Sequence, residues 1–323
     1  MVTTRNDEMK IVRRKFGNTE LQVSLLGLGT ADLGFSGADD DAFDRLLNEA
    51  YRAGINVLDS AAMYGDSEER LGRLLSGRRD QFLIFTKCGR HLPKLIGPSR
   101  YLRKARRMVG KWMGELPCEW LPGTLQRNIE DSLRRLRTDR IDLMQLHSCS
   151  TEILAQGGAI RTLQKAREAG KVRYIGYSGD GPAALWAVQS GCFDAIQLSV
   201  NVADQQPLDD VIPQALAAGL GVIAKRPIAN AVWRSPREPA EERLRIYWHR
   251  LNALRYEFVS NPDAVASALG FTLRTGVHTA LVGTTSSEHM RSNISALGTG
   301  DILYETLRER WKQTASEDWV AQM

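Results

Sequence analysis

Eight short apolar runs alternate with longer amphipathic segments along the 323 residues, and this rhythm restricts the fold more than any other feature. The runs are 24–28, 55–58, 82–86, 141–146, 172–177, 195–200, 221–224 and 279–282. Helical patterning follows over 41–53, 67–75, 124–136, 153–169, 182–190, 208–218, 240–258 with 262–274, and 287–297. Strands that alternate with helices form parallel sheets, and eight such units in this length favour a (β/α)8 barrel over a doubly wound sheet. The chain is therefore expected to be one barrel domain over 1–323. A hairpin within 9–24, turning at Gly17 and Asn18 as a two-residue loop, would plug the barrel floor. Two long segments, 88–123 and 229–258, interrupt the alternation after the third and seventh strands.

A hydrophobic content of 43% can fill a core of this size. The longest stretch without a charge, 211–224, is broken by Pro213 and falls short of the roughly 18 residues a membrane helix requires. No membrane partner is expected. The polar start has no signal-peptide pattern, and Cys88, Cys118, Cys149 and Cys192 are scattered without a C-x-x-C pair. Reduced thiols in a cytoplasmic protein are the expectation, with neither a disulfide framework nor a cysteine metal site. The net charge of +5 owes its sign to eight basic residues between Arg90 and Lys111. A solvated face is the commoner use of such a run, so no nucleic-acid partner is expected.

A dinucleotide could be held by a glycine-rich turn between strand and helix, but neither candidate fits. Gly27 and Gly29 are followed by Asp32 where a small residue is required, and Gly219, Gly221 and Ala224 precede their strand. The chemistry must then sit elsewhere. In a (β/α)8 barrel it gathers at the C-terminal strand ends. Those ends offer Asp59, Lys87 and His147 after the second, third and fourth strands, with Tyr64 in the loop after the second. Each alone has ordinary structural uses: a helix cap, a solvated cation, a carbonyl-bonded imidazole, a loop filler. Together they suit proton transfer to a carbonyl oxygen. A phenol is a weak acid near neutrality, an adjacent ammonium favours its anion, a carboxylate keeps that ammonium charged, and an imidazole orients the oxygen.

The segments G-I-N-V-L-D-S-A-A-M-Y-G, T-K, S-L-R-R-L-R-T-D-R-I-D-L-M-Q-L-H, Y-I-G-Y-S-G, I-Q-L-S-V-N and L-V-G-T-T-S-S-E-H-M-R-S-N carry a resemblance. In them the chain resembles the aldo-keto reductase superfamily of NAD(P)H-dependent carbonyl reductases, nearly from the hairpin to residue 297. The resemblance implies a barrel with an extended nicotinamide cofactor across its C-terminal face and a small carbonyl or alcohol substrate. Asp59, Tyr64, Lys87 and His147 align with the family tetrad, with Tyr64 as general acid in reduction. Ser178 and Gln197 align with the residues that bind the carboxamide. The segment 283–293 aligns with the adenosine end, Asn293 at the adenine, and Thr284, Thr285 and Ser286 suited to a 2′-phosphate at a helix N-terminus. NADP(H) is the preferred coenzyme, with NAD(H) as an alternative.

The chain also departs from the family pattern. Ser178-Gly179 replaces Ser-Asn, and Lys225-Arg226-Pro227-Ile228 replaces Tyr-Ser-Pro-Leu, which puts cations where an aromatic usually stacks on the nicotinamide. These cations suit a phosphate or an anionic substrate. Gly283 and His289 stand where lysine and arginine are common. The 88–123 segment, with Trp112, Trp120, Leu121 and its cations, reads as a lid over the substrate. The 229–258 segment, with Trp233, Tyr247, Trp248 and His249, reads as an extra rim helix or a cofactor clasp. A redox-sensing regulatory subunit with little turnover is the alternative from another class. A metal hydrolase lacks an H-x-H pair, and no metal site is expected. A Schiff-base role for Lys87 competes with its place in the tetrad.

Overall fold

The structure is a computed structural model that describes residues 2–5, 7–36, 39–90, 120–298, 304–316 and 319. Most of the basic segment expected to form a lid, residues 91–119 with Trp112 and Cys118, lies outside the described residues. Two antiparallel pairs come first: β1 (Val2–Arg5) with β2 (Asp7–Ile11), and β3 (Arg13–Lys15) with β4 (Gln22–Ser24). Eight parallel strands then close into a barrel. They are β5 (Leu26–Gly29), β6 (Val57–Asp59), β7 (Leu83–Cys88), β8 (Ile141–His147), β9 (Val172–Ser178), β10 (Ala195–Ser199), β11 (Gly221–Lys225) and β12 (Thr279–Gly283). They pair in chain order, and β12 returns to β5. Each of the eight apolar runs thus supplies one stave of the (β/α)8 barrel.

The pleat sorts each strand into two faces. On β8, Leu143 faces an inner cluster with Phe16, Leu21, Val23, Val57, Phe85, Ala195, Ile223 and Leu281. Met144 faces the larger outer core between the strands and their helices. The inner cluster fills the barrel floor, and the hairpin plugs it: Phe16 is fully buried and stacks on Phe85 at 5.5 Å between centroids. The loop is longer than a two-residue turn. Lys15 pairs with Gln22, and Phe16 N donates to Leu21 O at 2.9 Å, so 17–20 form the loop. Anchoring Phe16 inside the floor takes precedence over the tight turn that Gly17-Asn18 suggests. Gly221 yields the space, since a Cβ there would lie 2.4 Å from the Phe16 ring.

Three of the expected helices differ in detail. The one over 153–169 is two, Thr151–Gln156 and Gly158–Glu168, broken where Gly157 takes φ +71°. The one over 208–218 is Val211–Ala217 after a single 3-10 turn at Gln206–Leu208. The one over 240–258 is Glu242–Leu254, stopped by left-handed Arg255, followed by a 3-10 turn at Glu257–Ser260. Periodicity carries across such breaks because the apolar face resumes nearly in phase. A short helix, Ala31–Phe35, and a C-terminal one, Tyr304–Thr314, are additions to the expected set. Leu307 and Trp311 of the latter join Tyr247, Leu251, Leu254, Phe258 and Phe271 in a separate core. The 229–258 segment is thereby an extra packed layer, with Tyr247 wholly buried and His249 exposed beside Glu238. No helix among the described residues is long and apolar enough to cross a membrane.

Candidate active site

Adjacent strands β6, β7 and β8 deliver Asp59, Lys87 and His147 to one end of the barrel interior. All three are buried, Lys87 at 1% exposure. The Lys87 ammonium donates to Asp59 Oδ2 at 2.6 Å and to Ser60 O at 2.8 Å. Its Nζ stands 4.8 Å from the centroid of the Tyr64 ring, which meets the His147 ring edge-on at 6.0 Å and 86°. The four sequence-selected groups are therefore in one cluster.

Burial opposes the charge on Lys87, but the Asp59 carboxylate and the Tyr64 phenol outweigh it and raise its pKa. Lys87 is thus held as ammonium. Burial likewise raises the Asp59 pKa, against the pull of Lys87, Gln197 and Lys225. Burial, then the charges of Lys87, Arg90 and Lys225, push the His147 pKa well below its ordinary value. His147 is accordingly a neutral imidazole with one N–H to offer.

Tyr64 owes its position to two glycines. A Cβ on Gly34 would stand 1.8 Å from Tyr64 O, and one on Gly65 would stand 2.1 Å from Gly34 O. The backbones touch there, joined by Asp66 N donating to Gly34 O at 3.2 Å. The Ser67 hydroxyl ties this loop to the strand ends through Thr30 (2.6 Å) and Ser60 (2.9 Å). Backbone cannot yield as a flexible side chain does, so Gly34→Ala must displace Tyr64. We expect kcat to fall about tenfold or more, since misplacement on the order of 1 Å is enough for such losses. Turnover and a thermal melt check this, and an unchanged kcat would refute the clamp.

The residues aligned with cofactor contacts divide into two groups. Ser178 and Lys225 end β9 and β11, while Gln197 sits mid-β10 in register with Ser178, which itself pairs with His147. Ser178 is buried and its carbonyl accepts from Ser148 N at 2.7 Å. Gln197 is buried, and among the described residues neither its Oε1 nor Asp59 Oδ1 has a hydrogen-bond partner. Arg226 is turned inward at φ +56°, donating to Ser199 Oγ at 3.2 Å. The second group lies at the end of β12. Gly283, Thr285 and His289 are exposed, whereas Thr284 and Asn293 are buried. Thr284 Oγ1 accepts from Ser286 N at 3.0 Å, and Ser286 Oγ caps the following helix at His289 N.

The departures at 179 and 225 have structural partners that sequence reasoning missed. A Cβ on Gly179 would stand 2.4 Å from the Tyr177 hydroxyl, so no asparagine fits there without moving that ring. Lys225 is not a free cation: it pairs with Asp180 at 2.7 Å, and Asp180 also accepts from Ser199 N at 2.6 Å. Burial, Arg226 and Lys87 lower the Lys225 pKa against the support of Asp180. The signal available was an acid two residues beyond Ser178, in Y-S-G-D-G-P. Gln145, wholly buried with neither amide atom partnered among the described residues, is a further interior polar group that the sequence did not single out.

The family model described as Aldo/keto reductase family matches residues 25–302. An L-galactose dehydrogenase from Arabidopsis thaliana is 30% identical over 235 residues, 68% of this chain and 66% of that protein. An NADH-specific methylglyoxal reductase from Escherichia coli is 26% identical over 316 residues, 87% of this chain and 92% of that protein. The holo form of the aldo-keto reductase AKR11C1 from Bacillus halodurans superposes with a TM-score of 0.76 at 25% identity, covering 94% of this chain and 97% of that one.

Proposed function

The chain belongs to the aldo/keto reductase family and is an oxidoreductase, and on that premise we propose that it interconverts an aldehyde or ketone and its alcohol. The observation that carries the reading is the buried Lys87 ammonium, held by Asp59 at 2.6 Å and set 4.8 Å from the Tyr64 ring. When bound, a nicotinamide dinucleotide supplies or takes up the hydride. In reduction, Tyr64 gives its phenolic proton to the carbonyl oxygen, and the ammonium of Lys87 stabilises the phenolate left behind. Asp59 keeps Lys87 charged and fixed. Neutral His147 donates its ring N–H to the same carbonyl oxygen and so orients it. In oxidation the Tyr64 phenolate accepts the alcohol proton.

The residues present fit a nicotinamide dinucleotide. The orphaned Oε1 of Gln197 is an acceptor suited to a carboxamide N–H, with Ser178 beside it. Lys225 and Arg226 border this end. Gly283, Thr284, Thr285, Ser286, His289 and Asn293 would hold the adenosine end, where exposed Thr285 and the helix N-terminus favour a phosphate. We take NADP(H) as the preferred coenzyme. Arg291, a cation of the same segment, is tied to Glu49 at 2.6 Å, which keeps NAD(H) as the alternative. The ratio of kcat/KM for the two coenzymes decides, and a clear preference for NADH would reverse the choice.

The relatives named for L-galactose and methylglyoxal act on carbonyl compounds with oxygen on the neighbouring carbon, and we take that class as the first to test. The experiment follows nicotinamide absorbance across hydroxyaldehydes, dicarbonyls, simple aldehydes and ketones. Turnover of a subset is the expected result. Coenzyme binding without turnover of any carbonyl would overturn the enzymatic reading in favour of a redox-sensing subunit.

A further inference from the structure

The turn leaving β7 carries a guanidinium that the proposed mechanism does not use. Cys88, the last residue of β7, pairs with Leu146, so Gly89 and Arg90 leave the sheet beside His147. This turn is built rather than loose. Gly89 holds φ +100°, and a Cβ there would lie 2.0 Å from the Trp120 ring. Its N–H donates to Asn128 Oδ1 at 3.2 Å. Only glycine meets both demands, and the result is a fixed exit direction for Arg90.

Arg90 is half-buried, and its buried Nε has no hydrogen-bond partner among the described residues. The mouth's lysines have carboxylates, Lys87 with Asp59 and Lys225 with Asp180, whereas Arg90 has none among the described residues. Its charge nevertheless reaches His147, being one of the three that depress that imidazole after burial. A guanidinium offers five N–H donors and no acceptor. Its buried Nε–H, left without an acceptor among the described residues, is costly, and a substrate oxygen relieves that cost.

We infer that Arg90 determines specificity by donating to an oxygen on the carbon next to the reacting one, which makes the substrate an α-hydroxy- or α-oxo-carbonyl compound. The inference rests on the reductase reading and deepens it. His147 takes the reacting oxygen; the neighbouring carbon then carries its oxygen toward the neighbouring donor. Two adjoining donors, one neutral and one cationic, match two adjoining acceptors. A simple alkanal satisfies His147 and leaves Arg90 without a partner.

The test compares lactaldehyde with propanal, which lacks only the α-hydroxyl, in the full chain and in Arg90→Met. In the unaltered protein kcat/KM for lactaldehyde exceeds that for propanal. In the variant the ratio of the two falls about 10- to 100-fold, the usual worth of a hydrogen bond to a charged group. Propanal turnover and coenzyme affinity stay within about threefold, and they also report an intact fold. Arg90→Lys, which keeps the charge without the fork, recovers part of the ratio. An unchanged ratio, or equal loss on both aldehydes, overturns the role of Arg90 while leaving the reductase reading intact. An unaltered protein that turns over neither aldehyde nor any other carbonyl overturns the reductase reading, and the Arg90 role falls with it.

Discussion

Tyr64→Phe is expected to lower kcat for carbonyl reduction by about 10² to 10⁴, the range a positioned acid supplies, with coenzyme affinity unchanged. The substitution removes one oxygen and little else. The ring that meets His147 at 6.0 Å and Lys87 at 4.8 Å is retained, as is the Gly34–Gly65 backbone contact that sets the loop. Stability should therefore hardly move, and the loss is read as lost proton transfer alone. Single-turnover rates with saturating coenzyme, alongside fluorescence titration of the coenzyme, make the measurement. Near-normal turnover in this variant would mean that another group protonates the oxygen.

The cluster of Asp59, Tyr64, Lys87 and His147 is legible in sequence because its members are announced locally. An apolar run ends in a polar residue on each of three strands, and a barrel brings consecutive strand ends together whatever the loops do. The eightfold alternation fixes the topology in the same local way. What the sequence does not display are pairings made across the closed barrel. Asp180 and Lys225 look like independent residues 45 positions apart until β9, β10 and β11 lie side by side, with Ser199 between them. The requirement for glycine at 34 arises from contact with a loop 30 residues away. Likewise the hairpin loop lengthens because Phe16 is needed inside the floor, a demand set by Phe85 and Gly221 rather than by the turn residues. Arg90 was visible only as one of eight cations in a basic run. Its placement beside His147 follows from the turn at Gly89, which requires the folded chain to be seen.

Lys87→Met separates the electrostatics of the cluster from its stability. Removing the ammonium leaves the Asp59 carboxylate almost wholly buried, with Oδ1 already without a hydrogen bond and Oδ2 deprived of its 2.6 Å partner. Breaking a buried pair in this way costs about 3–5 kcal/mol, because the remaining charge is uncompensated. Asp59 answers by binding a proton. Its folded pKa, raised by burial even with Lys87 present, rises further above the unfolded value near 3.8. The folded state then holds more protons than the unfolded one, so stability falls as pH rises above that value. The variant should be closest to the unaltered protein in acid and furthest from it in mild alkali, as denaturant midpoints at two pH values will show. Adding Asp59→Asn removes the charge that caused the loss, and most of the stability returns, whereas turnover stays at least about 10²-fold down because nothing now stabilises the Tyr64 phenolate. Equal stability of Lys87→Met across pH would place the carboxylate in contact with solvent. Recovery of turnover in the double variant would remove Lys87 from the chemistry altogether.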